Sequence, residues 1–169
     1  DHAIALAPSD PTALILRARA LARLGLTPDA LTDYTQAFAL LATPSPELYL
    51  ERAALFASPA DALRSLADAF VRLGPVISLQ LRALDLEVAL RRFDDALTRV
   101  DLLTSASERR ELWLKRRGDI LVSAGRHAEA RAAYVEAQTA IAALPAWLVT
   151  SPDTVRLSIE LTRLATTTP

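Results

Sequence analysis

The side chains in this sequence that could take part in acid–base or metal chemistry are few and lie far apart. The two histidines are His2 and His127, whereas a metal site needs three or more convergent ligands and a catalytic histidine needs a partner in a cleft. The chain has no cysteine, so thiolate catalysis and cysteine metal sites are excluded. No glycine-rich phosphate loop or nucleophile elbow is present. The sequence therefore predicts a non-enzymatic protein without a metal or a cofactor, in which His127 is structural.

Two clusters of charged residues are explained by helix structure. Asp94 and Asp95 lie in the first turn of a predicted helix, where the helix dipole favours negative charge. A basic cluster is typical of the solvated face of one helix, with arginine stems over apolar neighbours; it consists of Arg109, Arg110, Lys115, Arg116 and Arg117. An alternative role of this cluster, as a nuclear-import or anionic-surface patch, stays open.

Composition limits the class of protein further. The chain has 169 residues, of which 51% are hydrophobic and 23% charged, so it is long and apolar enough to bury one core. The net charge of −1 gives no electrostatic basis for binding nucleic acid. No run of about 18 apolar residues occurs, which argues against membrane insertion. Cytoplasmic and exported locations are both compatible, and the excess of arginine over the single lysine, Lys115, suggests a bacterial genome rich in G and C.

Hydrophobic periodicity predicts helices only. Apolar residues recur at steps of three and four, as in Leu14, Ala18 and Leu21, and no segment alternates with a period of two. Prolines lie at the edges of these segments, where a helix tolerates them. The predicted helices are 12–24, 28–41, 46–57, 60–73, 77–91, 93–104, 108–124, 127–143 and 152–165.

One pattern recurs four times along the chain. An acidic residue precedes an alanine, and a bulky side chain follows that alanine after four residues; the alanines are Ala30, Ala62, Ala96 and Ala130. Their spacings are 32, 34 and 34 residues. A near-constant period of this length is typical of stacked helix pairs, because one pair alone cannot bury its apolar face.

These segments resemble tetratricopeptide repeats. The last copy matches the family pattern best, and the first copy matches almost as well. The matching residues are Leu114, Gly118, Leu121, Ala130, Tyr134 and Ala137 in the last copy, and Leu14, Ala18, Leu21, Ala30, Tyr34 and Ala37 in the first. The second copy has Arg52 where the family has a small residue, which predicts a splayed or shifted helix pair.

The resemblance implies an all-α fold, a right-handed superhelical stack of antiparallel helix pairs forming one domain over 1–169. Its repeats are predicted at 11–44, 45–75, 76–106 and 107–145. Residues 1–8 match the end of a preceding repeat, because Ala3 lies 34 residues before Ala37, and 151–165 forms a capping helix. The chain is therefore predicted to be part of a larger protein.

The resemblance also implies a function. In this family the first helix of each pair lines a concave groove that binds a peptide or a partner helix. Carried over copy by copy, the groove residues are Ile15, Arg19, Arg23, Tyr49, Phe56, Gln80, Leu84, Glu87, Lys115 and Asp119. They suggest a protein or peptide partner with acidic residues and a hydrophobic anchor.

Two alternatives stay open at this stage. Aromatic residues at helical spacing are usually core residues, so Tyr49 and Phe56 could pack inside the protein instead of lining the groove. The chain could also be a structural spacer or an assembly segment of a larger scaffold, which would use its ends and not its groove.

Overall fold

The computed structural model describes residues 10–168, and every regular element in that range is an α-helix. The helices are α1 (Pro11–Arg23), α2 (Thr27–Leu40), α3 (Pro46–Ala54), α4 (Pro59–Ser65), α5 (Ala67–Leu73), α6 (Ile77–Ala89), α7 (Phe93–Ser105), α8 (Arg110–Ser123), α9 (His127–Ala142), α10 (Ala146–Val149) and α11 (Pro152–Thr167). The predicted all-α class is confirmed. The half-repeat predicted at residues 1–8 lies outside the described residues.

Proline begins several of these helices, as the sequence predicts. Pro11, Pro46, Pro59 and Pro152 are each the first residue of a helix, where the missing amide hydrogen has no intrahelical partner to lose. Side chains of the preceding residues cap three of them. The Asp10 carboxylate accepts a hydrogen bond of 2.9 Å from the amide of Thr12, and the Ser58 and Ser151 hydroxyls accept from amides three residues later.

Contacts divide the chain into two compact units, and the boundary lies within α6 between Leu86 and Glu87. In the first unit, α1 packs against α2, and α3 packs against α4 and α5. One apolar cluster holds this unit together, and it includes Ala18, Tyr34, Phe38, Tyr49, Leu66 and Leu79. The core of the first unit is therefore rich in aromatic side chains.

The second unit contains the helices from α7 onward. Here α8 packs against both α7 and α9, while α9 also packs against α11, and the short α10 contacts α11. The sequence predicts a loop where α10 forms, so this single helical turn is an addition to the predicted elements. The helix predicted at 152–165 is present as α11, which buries Leu157 and Leu161, and its role as a cap stays a prediction.

The four repeat alanines are buried, which confirms the register predicted from their spacing. Ala30, Ala62, Ala96 and Ala130 are each at most 1% exposed. The bulky residues four positions later are buried as well; they are Tyr34, Leu66, Val100 and Tyr134. The small residue and the bulky residue therefore lie on the same buried face in each copy.

In the fourth copy the first and second helices make a very close contact. A Cβ atom added to Gly118 would lie 2.3 Å from Cε1 of the Tyr134 ring. The tyrosine ring thus occupies the space that any side chain at position 118 would need, and this contact explains why the copy has glycine at that position.

In the second copy Arg52 takes the place of the small residue, and the second helix is interrupted. The Arg52 guanidinium lies 4.6 Å from the centre of the Phe38 ring and 5.5 Å from that of Tyr49, and its Nη2 donates a 2.6 Å hydrogen bond to the Ser65 carbonyl. The next residue, Leu66, is a turn between α4 and α5. The predicted continuous helix 60–73 is therefore wrong, and the splay or shift of the helix pair predicted from Arg52 stays a prediction.

Three of the four turns between paired helices use left-handed backbone. Gly25 and Gly125 close the first helices of copies one and four with a φ of 76°, which glycine adopts without steric cost. The turn between α6 and α7 instead has Arg91 with a φ of 57°. A side chain in this region costs about 1 kcal/mol, so the third copy has the more strained turn.

Candidate interaction surfaces

Helix α1 presents three of the predicted groove residues, and two of them are exposed. Arg19 and Arg23 are solvent-exposed, while Ile15 is partly buried and packs against the apolar cluster of the first unit. Arg19 Nε and Nη2 each donate a 2.9 Å hydrogen bond to the Glu51 carboxylate. Arg23 makes no ion pair with any residue from 10 to 168. With respect to residues 10–168, this surface thus carries one paired and one unpaired guanidinium.

The Arg19–Glu51 pair joins α1 to α3 and is completed by Tyr34. The Tyr34 hydroxyl donates a 2.7 Å hydrogen bond to Glu51 Oε2. The hydrogen bond from Arg19 holds the pKa of Glu51 below its ordinary value, whereas burial, followed by the nearby carboxylate, raises the pKa of Tyr34 to about 12. Near neutral pH the Glu51 side chain is therefore a carboxylate that accepts three hydrogen bonds, two from Arg19 and one from Tyr34.

Three other predicted groove residues are buried and do not line a groove. Tyr49 and Leu84 are both 0% exposed, and Glu87 is 4% exposed. Tyr49 packs against Phe38, with the ring centres 4.7 Å apart, so its ring belongs to the core of the first unit. A partner could reach these side chains only if the protein rearranged. Phe56 and Gln80 are half-buried, and Phe56 packs against the apolar cluster.

The last two predicted residues, Lys115 and Asp119, form a polar network in the second unit. Lys115 Nζ lies 3.0 Å from Asp119 Oδ2 and 3.2 Å from Glu160 Oε1 on α11. The Tyr134 hydroxyl donates a 3.0 Å hydrogen bond to the other Asp119 oxygen. Burial lowers the pKa of Lys115, but hydrogen bonds to the two carboxylates outweigh it, and the net pKa is raised. Lys115 is thus a half-buried cation that ties α8 to α11.

Polar links between paired helices are a feature that the sequence analysis missed. They involve the residue three positions after the repeat alanine. In the first copy Arg17 donates two 2.6 Å hydrogen bonds to the nearly buried Asp33. In the third copy the polarity is reversed, because Arg99 on the second helix donates 2.9 and 2.5 Å hydrogen bonds to the buried Glu87.

In the second and fourth copies, the residue three positions after the repeat alanine is uncharged. Ser65 in the second copy uses its backbone carbonyl to accept the hydrogen bond from Arg52, and the fourth copy has the buried Ala133. An acidic or basic residue on the buried face of a predicted amphipathic helix was the available signal for the two ion pairs. Each ion pair also borders a surface cleft.

The described part of the chain has buried polar groups but no cluster of metal ligands. No group of three or more histidine and acidic side chains between residues 10 and 168 could hold a metal ion. His127 begins α9, and its Nδ1 is buried without a hydrogen-bond partner. Glu111 in the first turn of α8 is fully buried and is paired with Arg109. In residues 10–168 no helix is long and apolar enough to cross a membrane.

Solved structures with similar folds support the repeat architecture. A tetratricopeptide repeat protein from Parabacteroides merdae ATCC 43184 is 18% identical, with a TM-score of 0.53, and the match covers 99% of this chain and 68% of that one. PilW, a widely conserved type IV pilus biogenesis factor, is 16% identical, with a TM-score of 0.50 over 98% of this chain and 81% of its own. At these identities the likeness concerns the fold alone. A comparison with curated proteins gives no match.

A family model identifies the chain more directly. The model of the tetratricopeptide repeat-like domain matches residues 54–150, which is more than half of the 169 residues. The matched segment includes three of the four repeat alanines, and all of them are buried as the repeat requires. This chain belongs to the tetratricopeptide repeat-like family.

Proposed function

We propose that this chain is a non-enzymatic protein–protein interaction module that binds a peptide or a partner helix. Tetratricopeptide repeat-like folds commonly serve as protein-interaction modules. The observation that carries the proposal is the surface of α1, where the exposed Arg19 and Arg23 accompany the partly buried Ile15. Arginine beside an apolar contact is the combination that dominates many protein interfaces.

The charges of this surface suggest the chemistry of the partner. Arg23 is unpaired among the described residues, and Arg19 already holds the Glu51 carboxylate in bidentate geometry. A partner carboxylate could therefore bind Arg23 directly and share the Arg19 guanidinium, which has further N–H donors. Ile15 and Phe56 pack against the same apolar cluster and offer their accessible edges to a hydrophobic anchor. The proposed ligand is a peptide with acidic residues and one apolar anchor.

The test uses exposed arginines on two different surfaces. A peptide library would be selected on the full chain, and binding of the selected peptides compared between wild type and the Arg19→Ala, Arg23→Ala variant. We expect at least about a tenfold loss of affinity. The matched control is Arg64→Ala with Arg156→Ala, because both side chains are 76% exposed. Equal loss in both variants would show a dependence on net charge alone and would contradict a site on α1.

A second candidate function is that of a spacer or assembly segment in a larger scaffold. It is favoured by the burial of Tyr49, Leu84 and Glu87, since these predicted groove positions are filled by the protein's own side chains. Under this function the library would yield no peptide that depends on Arg19 and Arg23. The PilW match is compatible with an assembly role, because that protein is a pilus biogenesis factor, but it does not identify a partner for this chain.

A further inference from the structure

The Arg19–Glu51 pair reproduces within the chain the contact that an acidic ligand would make with arginine. Arg19 Nε and Nη2 donate 2.9 Å hydrogen bonds to different oxygens of the Glu51 carboxylate, which is the bidentate geometry that arginine favours with carboxylates. A guanidinium has further N–H donors, so Arg19 can still bind a second acceptor through its Nη1 end. The bidentate edge of Arg19 is therefore occupied by a carboxylate of the chain itself.

Two neighbouring helices hold the Glu51 carboxylate in this position. Glu51 lies on α3, the first helix of the second copy, so the pair joins the first helices of two successive copies. Arg19 thus points toward the copy that follows α1 in the chain. The Tyr34 hydroxyl donates a 2.7 Å hydrogen bond to Glu51 from a ring that is 2% exposed. Because a buried ring has little freedom to move, this bond fixes the carboxylate beside Arg19.

The charges at this surface leave room for one further carboxylate. Arg23 lies one turn after Arg19 on the same side of α1 and makes no ion pair with any residue from 10 to 168. The two arginines and Glu51 together carry a single positive charge in excess. The exposed Glu47 lies one turn before Glu51 on α3 and adds negative charge to that helix. A second ligand carboxylate would therefore meet repulsion from α3 that offsets its attraction to Arg19.

The fourth copy uses the chain's own carboxylates in the same way. Tyr134 occupies the repeat position of Tyr34, and its hydroxyl donates a 3.0 Å hydrogen bond to Asp119. Lys115 Nζ lies 3.0 Å from Asp119 and 3.2 Å from Glu160. The cation at this predicted groove position is thus matched by two internal carboxylates. In the first copy the internal carboxylate matches one of two cations, so a ligand finds an excess positive charge there.

We propose that Glu51 is a specificity-determining residue, which restricts the α1 surface to ligands that place a single carboxylate on Arg23 and the Nη1 end of Arg19. The inference rests on the proposed function and narrows the class of its ligand. The peptide that fits has one acidic residue at this surface, beside its apolar anchor, and not a run of acidic residues. Glu51 acts as a counter-charge that competes with the ligand for Arg19. Removal of its charge therefore extends binding to peptides with two adjacent acidic residues.

The probes are two synthetic peptides that each contain one phenylalanine and differ only in having one glutamate or two adjacent glutamates. Isotope-labelled full chain is titrated with each peptide, and the NMR signals of the arginine Nε–H groups and the α1 amides give the dissociation constants. We expect wild type to bind the two peptides within about twofold of each other. Glu51→Gln, which keeps the shape of the side chain, should bind the two-glutamate peptide about fivefold more tightly than the other, because the freed guanidinium gains one surface ion pair.

The matched control is Glu47→Gln, which removes the same charge at an exposed position one turn earlier on α3 and leaves the Arg19–Glu51 pair intact. An equal preference for two glutamates in both variants, or in wild type, would overturn the inference, as would failure of either peptide to shift the Arg23 signal. Weaker binding of both peptides by Glu51→Gln would also overturn it, since Glu51 would then position Arg19 and not compete with the ligand. The proposed function fails separately, when the Arg19→Ala, Arg23→Ala variant binds library peptides as wild type does.

Discussion

The second and fourth copies of the repeat show how one residue changes a helix pair. In the fourth copy Gly118 lets the Tyr134 ring lie directly on α8, and α9 runs unbroken over 16 residues. In the second copy Arg52 occupies the equivalent position, and the second helix is split into α4 and α5, each of 7 residues. The repeat therefore tolerates a large residue at its closest contact by interrupting the opposite helix.

The comparison also shows what replaces close packing. Arg52 lies over two aromatic rings and binds the Ser65 carbonyl, but its Nε is buried without a hydrogen-bond partner. Burial lowers the pKa of this guanidinium, which indicates that its charge is poorly solvated. Dispersion and apolar burial stabilise the helix contact of the fourth copy. The second copy instead depends on the Arg52 guanidinium, whose hydrogen-bond donors are only partly paired in the interior.

The largest expected effect comes from filling the close contact of the fourth copy. Gly118→Leu would place a side chain where the Tyr134 ring lies, so we expect a loss of about 3 kcal/mol in the free energy of unfolding, at the upper end of overpacking costs. Urea denaturation of the full chain measures it. Val122→Leu, one turn later on the same helix at a 37% exposed position, should be nearly neutral. Similar midpoints for both variants would contradict the close contact.

A smaller effect is expected when Arg52 is given the small side chain of the other copies. Arg52→Ala loses the ring contacts and one hydrogen bond, worth about 1–2 kcal/mol together, but it also removes a buried, incompletely bonded charge. We expect a net change within about 1 kcal/mol and a continuous helix through Leu66. Backbone carbon chemical shifts at Leu66 and Ala67 report the helix.

The control for this prediction is Arg64→Ala, because Arg64 belongs to the same helix pair and its side chain is 76% exposed. If Arg52→Ala destabilised the protein as much as Gly118→Leu, Arg52 would be an essential anchor of the second copy. The interrupted helix would then be a requirement of that copy and not a response to a large side chain.

The smallest effect concerns the tyrosine hydroxyls of the first and fourth copies, each of which donates to a carboxylate. The pKa of Tyr34 is raised to about 12, above the value of about 10 in an unfolded chain. Its contribution to stability is therefore complete below about pH 10 and is lost as the pH rises toward 12. Phenolate absorbance should stay low at pH 10 until the protein unfolds. Tyr34→Phe should lessen the alkaline loss of stability, and an unchanged alkaline transition would contradict the assignment.

Much of the fold could be predicted because its signals are local. Proline at the first position of a helix, glycine in a left-handed turn and alanine at a repeat position each depend on a few neighbouring residues. These signals placed Pro46, Gly125 and Ala130 correctly. The interruption at Leu66 was harder to predict, because it depends on how a long arginine side chain from another helix reaches one carbonyl.

The candidate surfaces could be predicted less well, for a physical reason. Position within a repeat specifies which face of a helix a residue occupies, but side-chain length and nearby partners decide whether that residue is accessible. Arg19 is exposed at its predicted position, whereas Tyr49 fills the core beside Phe38. The ion pairs of Asp33 and Glu87 join residues that are 16 and 12 positions apart, so a local pattern can indicate a buried charge but not the residue with which it pairs. The binding role of the surface residues stays a prediction.

The reversed polarity of the two ion pairs has a consequence for how the chain finds its fold. Near-identical repeats risk pairing a first helix with the second helix of the wrong repeat. Pairing α1 with α7 would place Arg99 against a helix that has three arginines and no acidic residue, and the buried Glu87 would lose its arginine. Correct pairing instead brings each arginine to a carboxylate. The Arg99–Glu87 pair thus favours the pairing of α7 with α6 over its pairing with α1 while the chain assembles.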